Sequence, residues 1–249
     1  MTSRERADTS LPAHDTRGRG NAVSGDATAT ATAVLLSAGL DSAVLAAAAA
    51  RGGPVHPIYV STGLSWEEEE RGALARLLVT APYASLAPLV SLAFTVSDLY
   101  PPTHWAFRGE PPAFDTPDED VYLTGRNIIL LSKAAIHCAQ QRIGRLAIGP
   151  LAGNPFPDAT PEFFSTMARA LSLGLAHELT IDTPFASMEK DAVIRLGVEL
   201  GVPLELTLSC MNPSDGRHCG RCSKCRERRD AFSDAGVEDP TTYAVAPLR

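Results

Sequence analysis

The sequence predicts an α/β protein built around a doubly wound, mostly parallel sheet. Short apolar runs alternate with amphipathic segments of helical length, a loop of small residues follows the first run, and no internal repeat interrupts the order. Strands that alternate with helices form βαβ units, whose sheet is parallel and covered on both faces. The 249 residues fit one large α/β domain.

The elements follow from the apolar pattern in chain order. The predicted strands are 31–36, 55–60, 86–96, 146–148 and 179–181, and the predicted helices are 41–51, 66–79, 126–141, 163–176 and 190–200. Four glutamates in the first turn of the second helix complement its dipole. Residues 97–120 contain five prolines and predict a loop long enough to act as a lid.

Composition limits the organisation and the partners of the chain. We expect a disordered extension at 1–30, a nucleotide-binding α/β domain at 31–207, a four-cysteine segment at 208–232 packed on the same domain, and a tail at 233–249. The net charge of −7 argues against direct nucleic-acid binding. The longest apolar stretch, 43–50, is far below the roughly 20 residues that cross a bilayer. We therefore expect a cytoplasmic protein without a membrane partner.

The loop after the first strand is suited to phosphate. It reads Ser37-Ala38-Gly39-Leu40-Asp41-Ser42 and follows Leu36 at the end of the strand. Ligands of α/β sheets bind at this edge, and unpaired N–H groups at a helix N-terminus attract anions. The alternative is an ordinary tight turn in which Asp41 or Ser42 caps the helix.

Four cysteines near the C-terminal end predict a closed metal site. Cys210, Cys219, Cys222 and Cys225 have the spacing C-x8-C-x2-C-x2-C. Four thiolates held by tight turns are the usual structural zinc set. A [4Fe–4S] cluster is the alternative, but no C-x3-C-P follows the triplet, so we favour a zinc knuckle. The fifth cysteine, Cys138, is expected in the core.

The order of these motifs resembles one family. S-x-G-x-D-S is followed by Gly125-Arg126-Asn127, then by Pro157-Asp158-x-x-Pro161-Glu162-Phe163, and then by the cysteines. This order is similar to that of the 7-cyano-7-deazaguanine synthase family, the ExsB-like group of queuosine biosynthesis among the PP-loop ATP pyrophosphatases, over roughly residues 33 to 232. The resemblance implies an adenine nucleotide alpha hydrolase-like fold.

The resemblance also implies a reaction and its participants. A 7-carboxy-7-deazaguanine-type carboxylate is adenylylated by ATP, ammonia gives the amide, and a second ATP converts the amide to the nitrile. The implied cofactors are ATP, Mg²⁺ and structural Zn²⁺. The implied partners are the deazapurine carboxylate and ammonia, with a homodimer as the oligomeric state.

Roles for individual residues follow by position. The cofactor-binding residues are Leu36, Ser37, Ala38, Gly39, Leu40, Asp41, Ser42, Gly125, Arg126 and Asn127, and the catalytic residues are Asp41, Ser42 and Lys190. The substrate-binding residues are Trp66, Glu67, Asp158 and Glu162, and the metal ligands are the four clustered cysteines. Capping of the following helix is an equal alternative for Asp158 and Glu162.

The chain departs from the family pattern in three places. Ala38 replaces a glycine, which favours an ordinary backbone or an adjusted loop there. Ser61-Thr62-Gly63-Leu64-Ser65-Trp66 replaces Asp-Tyr-Gly-Gln-Arg-His, and Ala159-Thr160 replaces Cys-Arg. These changes favour the hypothesis that the acceptor differs or that the reaction stops at the amide. The pattern also leaves open a thiolating PP-loop enzyme and a non-catalytic nucleotide-binding module.

Overall fold

The computed structural model describes residues 30–246, which form a five-stranded sheet between two layers of helices. The strands are β1 (Thr32–Leu35), β2 (Val55–Ser61), β3 (Val90–Ala93), β4 (Arg145–Ala147) and β5 (Thr180–Asp182). The helices are α1 (Leu40–Ala50), α2 (Glu67–Leu77), α3 (Trp105–Arg108), α4 (Arg126–Gln141), α5 (Pro161–Leu175), α6 (Lys190–Glu199) and α7 (Ser223–Ala235). Short 3₁₀ helices lie at Asp118–Val121, Pro157–Ala159 and Leu204–Leu206.

The sheet has the order β3-β2-β1-β4-β5, and all its pairs are parallel. The chain moves outward from β1 to β3, returns across the sheet, and adds β4 and β5 on the other side of β1. The predicted doubly wound fold is therefore confirmed. The reversal leaves a crevice at the carboxyl ends of β1 and β4, which is where such sheets bind ligands.

Alternate residues of β1 enter two separate cores. Val34 packs in a cluster with residues of α1, α6 and α7, whereas Ala33 and Leu35 pack with α4 and α5 on the opposite face. Cys138 is buried in this second cluster, as expected. Burial on both faces explains why the strands read as continuous apolar runs.

Helix α6 approaches α1 closely because Gly197 has no side chain. A Cβ atom there would lie 2.9 Å from Val44 Cγ2 and 3.1 Å from Leu204 Cδ2. Interiors are packed too densely to absorb such an atom without a shift. This contact places the N-terminal end of α6, with Lys190, beside the loop that follows β1.

Two regions differ from the sequence prediction. The segment predicted as a loop at 97–120 contains α3 and a 3₁₀ helix, and the strand predicted at 86–96 is limited to β3. The helix α7 was not predicted, because its buried face consists of Ser223, Cys225, Arg228, Ala231 and Phe232. Those residues do not give an apolar period of 3.6.

Most of the predicted N-terminal extension, 1–29, lies outside the described residues. Residues of the four-cysteine segment 208–232 lie in the main core, since Leu208, Cys210 and Phe232 belong to the same cluster as Val34. The boundary at 232/233 falls within α7. Among the described helices, none has the length and apolar character that a membrane span needs.

Candidate active site and metal centre

The loop between β1 and α1 is braced by its two serines. Ser42 Oγ donates to Gly39 O at 3.0 Å and accepts from Ser37 N at 3.3 Å. Ser37 Oγ accepts from Gly39 N at 3.4 Å. No side chain caps α1, whose N-cap residue is Gly39. The first N–H groups of the helix are thus left to a ligand or to water.

The sequence-based expectation of an ordinary backbone at Ala38 is wrong. Ala38 has φ = 61°, in the left-handed region, and is fully buried. A non-glycine residue costs roughly 1–2 kcal/mol in this conformation. The surrounding structure maintains it: Ala38 O accepts a hydrogen bond from Leu208 N at 2.9 Å, just before the cysteine segment.

A two-part cleft lies at the carboxyl edge of β1 and β4. Its inner part has a volume of about 290 Å³ and its outer part about 450 Å³. Both parts are lined by residues of the loops after β1 and β4, of α1, α2 and α4, and of the segment before α4. These residues are Ser37, Gly39, Asp41, Glu70, Val121, Leu123, Arg126, Gly149, Pro150, Asn154 and Phe156. Clefts of this size and position are typical of small-molecule sites.

The Gly125-Arg126-Asn127 motif directs one cation into the cleft. Gly125 has φ = 76°, which glycine adopts freely, and α4 begins at the next residue. Asn127 N donates to Asp158 Oδ2 at 3.1 Å, and Asn127 Nδ2 donates to Asp158 O at 2.9 Å. Burial raises the pKa of Asp158, although the hydrogen bond from Asn127 opposes this. Asn127 and Asp158 thus fix the start of α4, while Arg126 lines both parts of the cleft.

A buried carboxyl group faces this arginine. Glu70 Oε2 accepts from Tyr59 Oη at 3.0 Å, and both residues line the inner cleft. Burial raises the pKa of Glu70 to about 7, although the positive charge of Arg126 opposes the shift. Sequence reasoning missed Tyr59 and Glu70.

Lys190 bridges two carboxylates across the outer cleft. Its Nζ atom donates to Asp41 Oδ2 at 3.0 Å and to Glu227 Oε1 at 2.7 Å. The other oxygen of Glu227 pairs with Lys224. Burial alone would lower the pKa of Lys190, but the charges of Asp41 and Glu227 raise it overall. The ammonium group therefore stays charged beside Asp41.

The remaining predicted substrate residues have different positions. Trp66 lines the outer cleft, where its ring stacks on Trp105 with centroids 5.8 Å apart. Glu67 does not line the cleft: its carboxylate accepts from Thr62 N at 2.7 Å and Gly63 N at 3.0 Å and so closes the loop after β2. Glu162 is exposed on the first turn of α5, outside the cleft lining.

An aromatic wall was also missed by the sequence analysis. The rings of Tyr122 and Phe156 stack with centroids 5.1 Å apart at 23° in the inner cleft. Stacked rings present a flat apolar face of the kind on which a planar heterocycle packs. Tyr122 lies three residues before Gly125, and this closeness to a predicted site motif was the only signal in the sequence.

The four predicted metal ligands converge, and their Sγ atoms all lie within 4.8 Å of one another. The separations include 3.9 Å for Cys210–Cys222, 3.8 Å for Cys219–Cys225 and 3.5 Å for Cys222–Cys225. A tetrahedral zinc ion with Zn–S bonds of about 2.3 Å places its sulfurs about 3.8 Å apart. The cluster therefore fits a zinc ion.

Backbone donors and one glycine shape this cluster. Asn212 N and Cys219 N donate to Cys210 Sγ at 3.3 and 3.2 Å and so hold this sulfur in place. Gly220 has φ = 76°, and a Cβ atom there would lie 2.1 Å from Val245 O. Position 220, directly after the second ligand, therefore accepts only glycine without a shift of the backbone.

The four-cysteine segment also contacts the segment 97–120. Arg226, one residue after Cys225, donates to Phe114 O at 2.7 Å and pairs with Asp118 at 3.4 Å. Ser223 N donates to Pro112 O at 3.2 Å. The 97–120 segment is therefore anchored on α7 where it borders the outer cleft.

The fold and the site together define a doubly wound α/β protein with a loop of small residues at the carboxyl edge of β1 and a four-cysteine cluster that fits a metal ion. Comparison with known proteins gives the family. The protein-family model described as "Queuosine biosynthesis protein QueC" matches residues 31–236. The chain belongs to this family of enzymes.

Curated relatives agree over almost their whole length. A 7-cyano-7-deazaguanine synthase of Anaeromyxobacter dehalogenans is 36% identical over 222 residues, which are 85% of this chain and 94% of the relative. One of Methanopyrus kandleri is 35% identical over 231 residues, with coverages of 85% and 98%. A solved structure of a predicted tRNA methyltransferase subunit from Methanocaldococcus jannaschii is 16% identical to this chain, with a TM-score of 0.42. The match covers 68% of this chain and 75% of that one. It supports no conclusion about this chain.

Proposed function

We propose that the protein is an ATP-dependent carbon–nitrogen ligase that converts a 7-carboxy-7-deazaguanine-type carboxylate and ammonia to the nitrile. The observation that carries this proposal is the pair of unpaired polar atoms in the cleft. Of the three buried side-chain polar atoms without a partner among residues 30–246, Asp41 Oδ1 and Arg126 Nε both belong to cleft residues. Buried groups of this kind normally have partners, so they indicate a charged ligand.

The phosphate end of ATP fits the loop and the N-terminal end of α1. The residues that would hold it are Leu36, Ser37, Ala38, Gly39, Leu40, Asp41, Ser42, Gly125, Arg126 and Asn127. Lys190 and Arg126 supply positive charge, and Asp41 Oδ1 supplies the oxygen that Mg²⁺ prefers. The catalytic roles are proposed for Asp41, Ser42 and Lys190. They position and stabilise charge rather than form bonds.

The proposed chemistry activates the same carbon twice, first as a carboxylate and then as an amide, because both groups are poor electrophiles. A carboxylate oxygen attacks the α-phosphorus, pyrophosphate leaves, and ammonia displaces AMP from the acyl carbon with loss of a proton to give the amide. The amide oxygen then attacks a second ATP, pyrophosphate leaves, and loss of AMP and protons yields the nitrile. Two ATP therefore become two AMP and two pyrophosphate for each nitrile.

The acceptor base would occupy the part of the cleft that the phosphates leave free. Trp66 and the Tyr122–Phe156 stack offer apolar faces for a planar heterocycle, and Asp158 and Glu70 offer hydrogen-bond acceptors. Glu67 and Glu162 are left out of this set of substrate ligands, because one is engaged by its own loop and the other lies outside the cleft.

The four cysteines are proposed to hold a structural Zn²⁺. All four ligand positions are filled by protein, so no position is open for catalysis. Nitrogen is proposed to enter as free ammonia. A homodimer and a cytoplasmic location are proposed from the family resemblance.

A panel of acceptors tests the proposal. Purified protein is given ATP, Mg²⁺ and ammonium with 7-carboxy-7-deazaguanine, its amide, or the unsubstituted deazapurine, and products are identified by mass spectrometry. The proposal predicts nitrile from the first two compounds and no reaction with the third.

Accumulation of amide without nitrile would favour an enzyme that stops at the amide. That possibility draws support from the altered loop after β2, which Glu67 closes on itself. No product from any of the three compounds would contradict the proposal.

A further inference from the structure

Glu227 lies between the metal-bearing helix and the phosphate loop. Its Oε1 atom is 2.7 Å from Lys190 Nζ, which in turn is 3.0 Å from Asp41 Oδ2. The side chains of Glu227 and Lys190 are 21% and 16% exposed, so this pair is largely shielded from water. The second oxygen of Glu227 is paired with Lys224, and the four groups are balanced in charge.

The position of Glu227 depends on the cysteine cluster. Helix α7 takes Cys222 as its N-cap residue and contains Cys225, so two metal ligands determine where its first turn begins. Glu227 follows Cys225 by two residues. At the next position, fully buried Arg228 donates to Leu204 O at 2.8 Å and Thr207 Oγ1 at 2.9 Å, which fixes the rotation of α7 about its axis.

Lysine needs such support more than arginine does. Its ammonium is a compact charge on a flexible four-carbon stem, with no fork to fix its orientation. With Asp41 as its only partner, Lys190 would be free to follow that carboxylate or to turn into the open outer cleft. Two acceptors on different elements, α1 and α7, hold Nζ at one point.

We propose that Glu227 is a positioning residue, which holds Lys190 against the phosphate loop and so links the metal-bearing helix to the reaction. This inference rests on the proposed function, because the role of Lys190 in charge stabilisation belongs to it. It adds a residue at the edge of the outer cleft whose proposed role is exerted through Lys190. It also gives the cysteine cluster an effect on the rate, beyond stability.

The first test compares Glu227→Gln with Glu227→Asp and with Asp234→Asn, an exposed carboxylate on the same helix. Glu227→Gln should lower kcat for AMP formation by 10- to 100-fold, with KM for the carboxylate within about twofold and metal content unchanged. Glu227→Asp should have a kcat at least threefold higher than that of Glu227→Gln, because it keeps the charge. Asp234→Asn should have the kcat of the wild type. An unchanged kcat in Glu227→Gln would overturn the inference. A decrease in kcat that is explained by loss of metal from the Glu227→Gln protein would overturn it as well.

A second readout does not depend on turnover. Brief acetic anhydride labelling followed by peptide mass spectrometry measures how accessible Lys190 is, with Lys133 as an internal reference. Glu227→Gln should raise the labelling of Lys190 at least fivefold, and Asp234→Asn should leave it unchanged. If Lys190 labels equally in both variants, the positioning role is wrong. An inactive wild type with the predicted labelling would contradict only the proposed function.

Discussion

At the scale of single residues, the cleft contains charges that the fold itself does not fully use. Lys190 is shared between two carboxylates, while Asp41 keeps one oxygen and Arg126 keeps Nε without a protein partner. Leaving a buried polar atom unpaired costs roughly 1–3 kcal/mol. A ligand that supplies both a cation and anionic oxygens removes this cost, as ATP with Mg²⁺ would.

Glu70 should make the stability of the protein depend on pH. Its pKa is raised by burial from 4.5 to about 7, so the folded state binds more protons than the unfolded state between these values. Stability therefore falls as pH rises through this window, by roughly 1–3 kcal/mol. Glu70→Gln, which cannot ionise, should remove this fall and be the more stable protein at pH 8.

Urea unfolding of the ligand-free protein at pH 5 and pH 8 measures the effect. Glu68→Gln is the matched control, because Glu68 lies on the same helix and is exposed. If Glu70→Gln retains the pH dependence of the wild type, the assignment of a raised pKa to Glu70 is wrong.

Ala38 should tolerate glycine but not valine. The position has φ = 61° and is fully buried. Ala38→Gly relieves the backbone but loses a buried methyl group, so its stability should stay within about 1 kcal/mol of the wild type. Ala38→Val adds volume and a β-branched side chain in the left-handed region, and should cost roughly 2–4 kcal/mol.

Thermal unfolding and ATP-dependent AMP formation measure the two variants. Ala38→Val should also lower AMP formation at least tenfold, since the phosphate loop must move to admit the side chain. Equal stability of the valine and glycine variants would show that the loop has an ordinary backbone at this position.

At the scale of elements, the sequence predicts best those elements whose bounds are set by residues close together in the chain. Helix α4 has the predicted bounds 126–141, because Gly125 precedes it and apolar residues recur along it. Helix α7 could not be found, because its inner face uses cysteines and the buried Arg228, whose partners are distant in sequence. Metal ligation and a hydrogen-bonded arginine replace the apolar stripe there.

The glutamates of α2 show how a site residue was missed. Glu67 and Glu70 are three positions apart and share the buried face, whereas Glu68 is exposed. A helical projection alone would have separated the inner glutamates from the outer ones. Whether Glu67 or Glu70 points into the cleft depends on the conformation of the loop after β2, and the sequence does not reveal that conformation.

The metal-binding segment should be sensitive at Gly220 for a steric reason. Gly220→Ala places a Cβ atom 2.1 Å from Val245 O, in addition to the strain of φ = 76°. Gly236→Ala is the matched control, because φ is 66° there and no atom lies within 4 Å of the added Cβ. The control should cost about 1 kcal/mol, while Gly220→Ala should cost at least about 2 kcal/mol more.

Metal release to a colorimetric chelator and thermal unfolding separate the two variants. Gly220→Ala should release metal at least tenfold faster than Gly236→Ala. Equal release rates would mean that the contact with Val245 does not constrain the ligand loop.

At the scale of the whole molecule, the four-cysteine cluster and the main core share one buried cluster of side chains. Cys210, Cys222, Cys225 and Phe232 belong to the same buried cluster as Val34 of the central strand. The sequence predicted both halves, the phosphate loop and the cysteine set. It also assigned Lys190 to the site, 149 residues from Asp41 along the chain, but not Glu227, which joins Lys190 to the cysteine segment.

Loss of one metal ligand should therefore destabilise the entire fold. Cys225→Ser should abolish metal binding and lower Tm in a single transition by about 10 °C or more, because structural zinc contributes folding free energy directly. Cys138→Ser is the control, because Cys138 is a buried cysteine in the opposite core. This variant should keep the metal at the four-cysteine cluster. Calorimetry with elemental analysis checks both, and retention of wild-type Tm in a metal-free Cys225→Ser variant would contradict a shared core.

The proposed function requires that one cleft activates the same carbon twice with ATP. The most direct measurement is the amount of AMP released for each 7-carboxy-7-deazaguanine consumed, in the presence of Mg²⁺ and ammonium. We expect two AMP for each carboxylate, with nitrile as the product, and no AMP without the carboxylate. AMP formation independent of the carboxylate, release of ADP, or no AMP at all would contradict it.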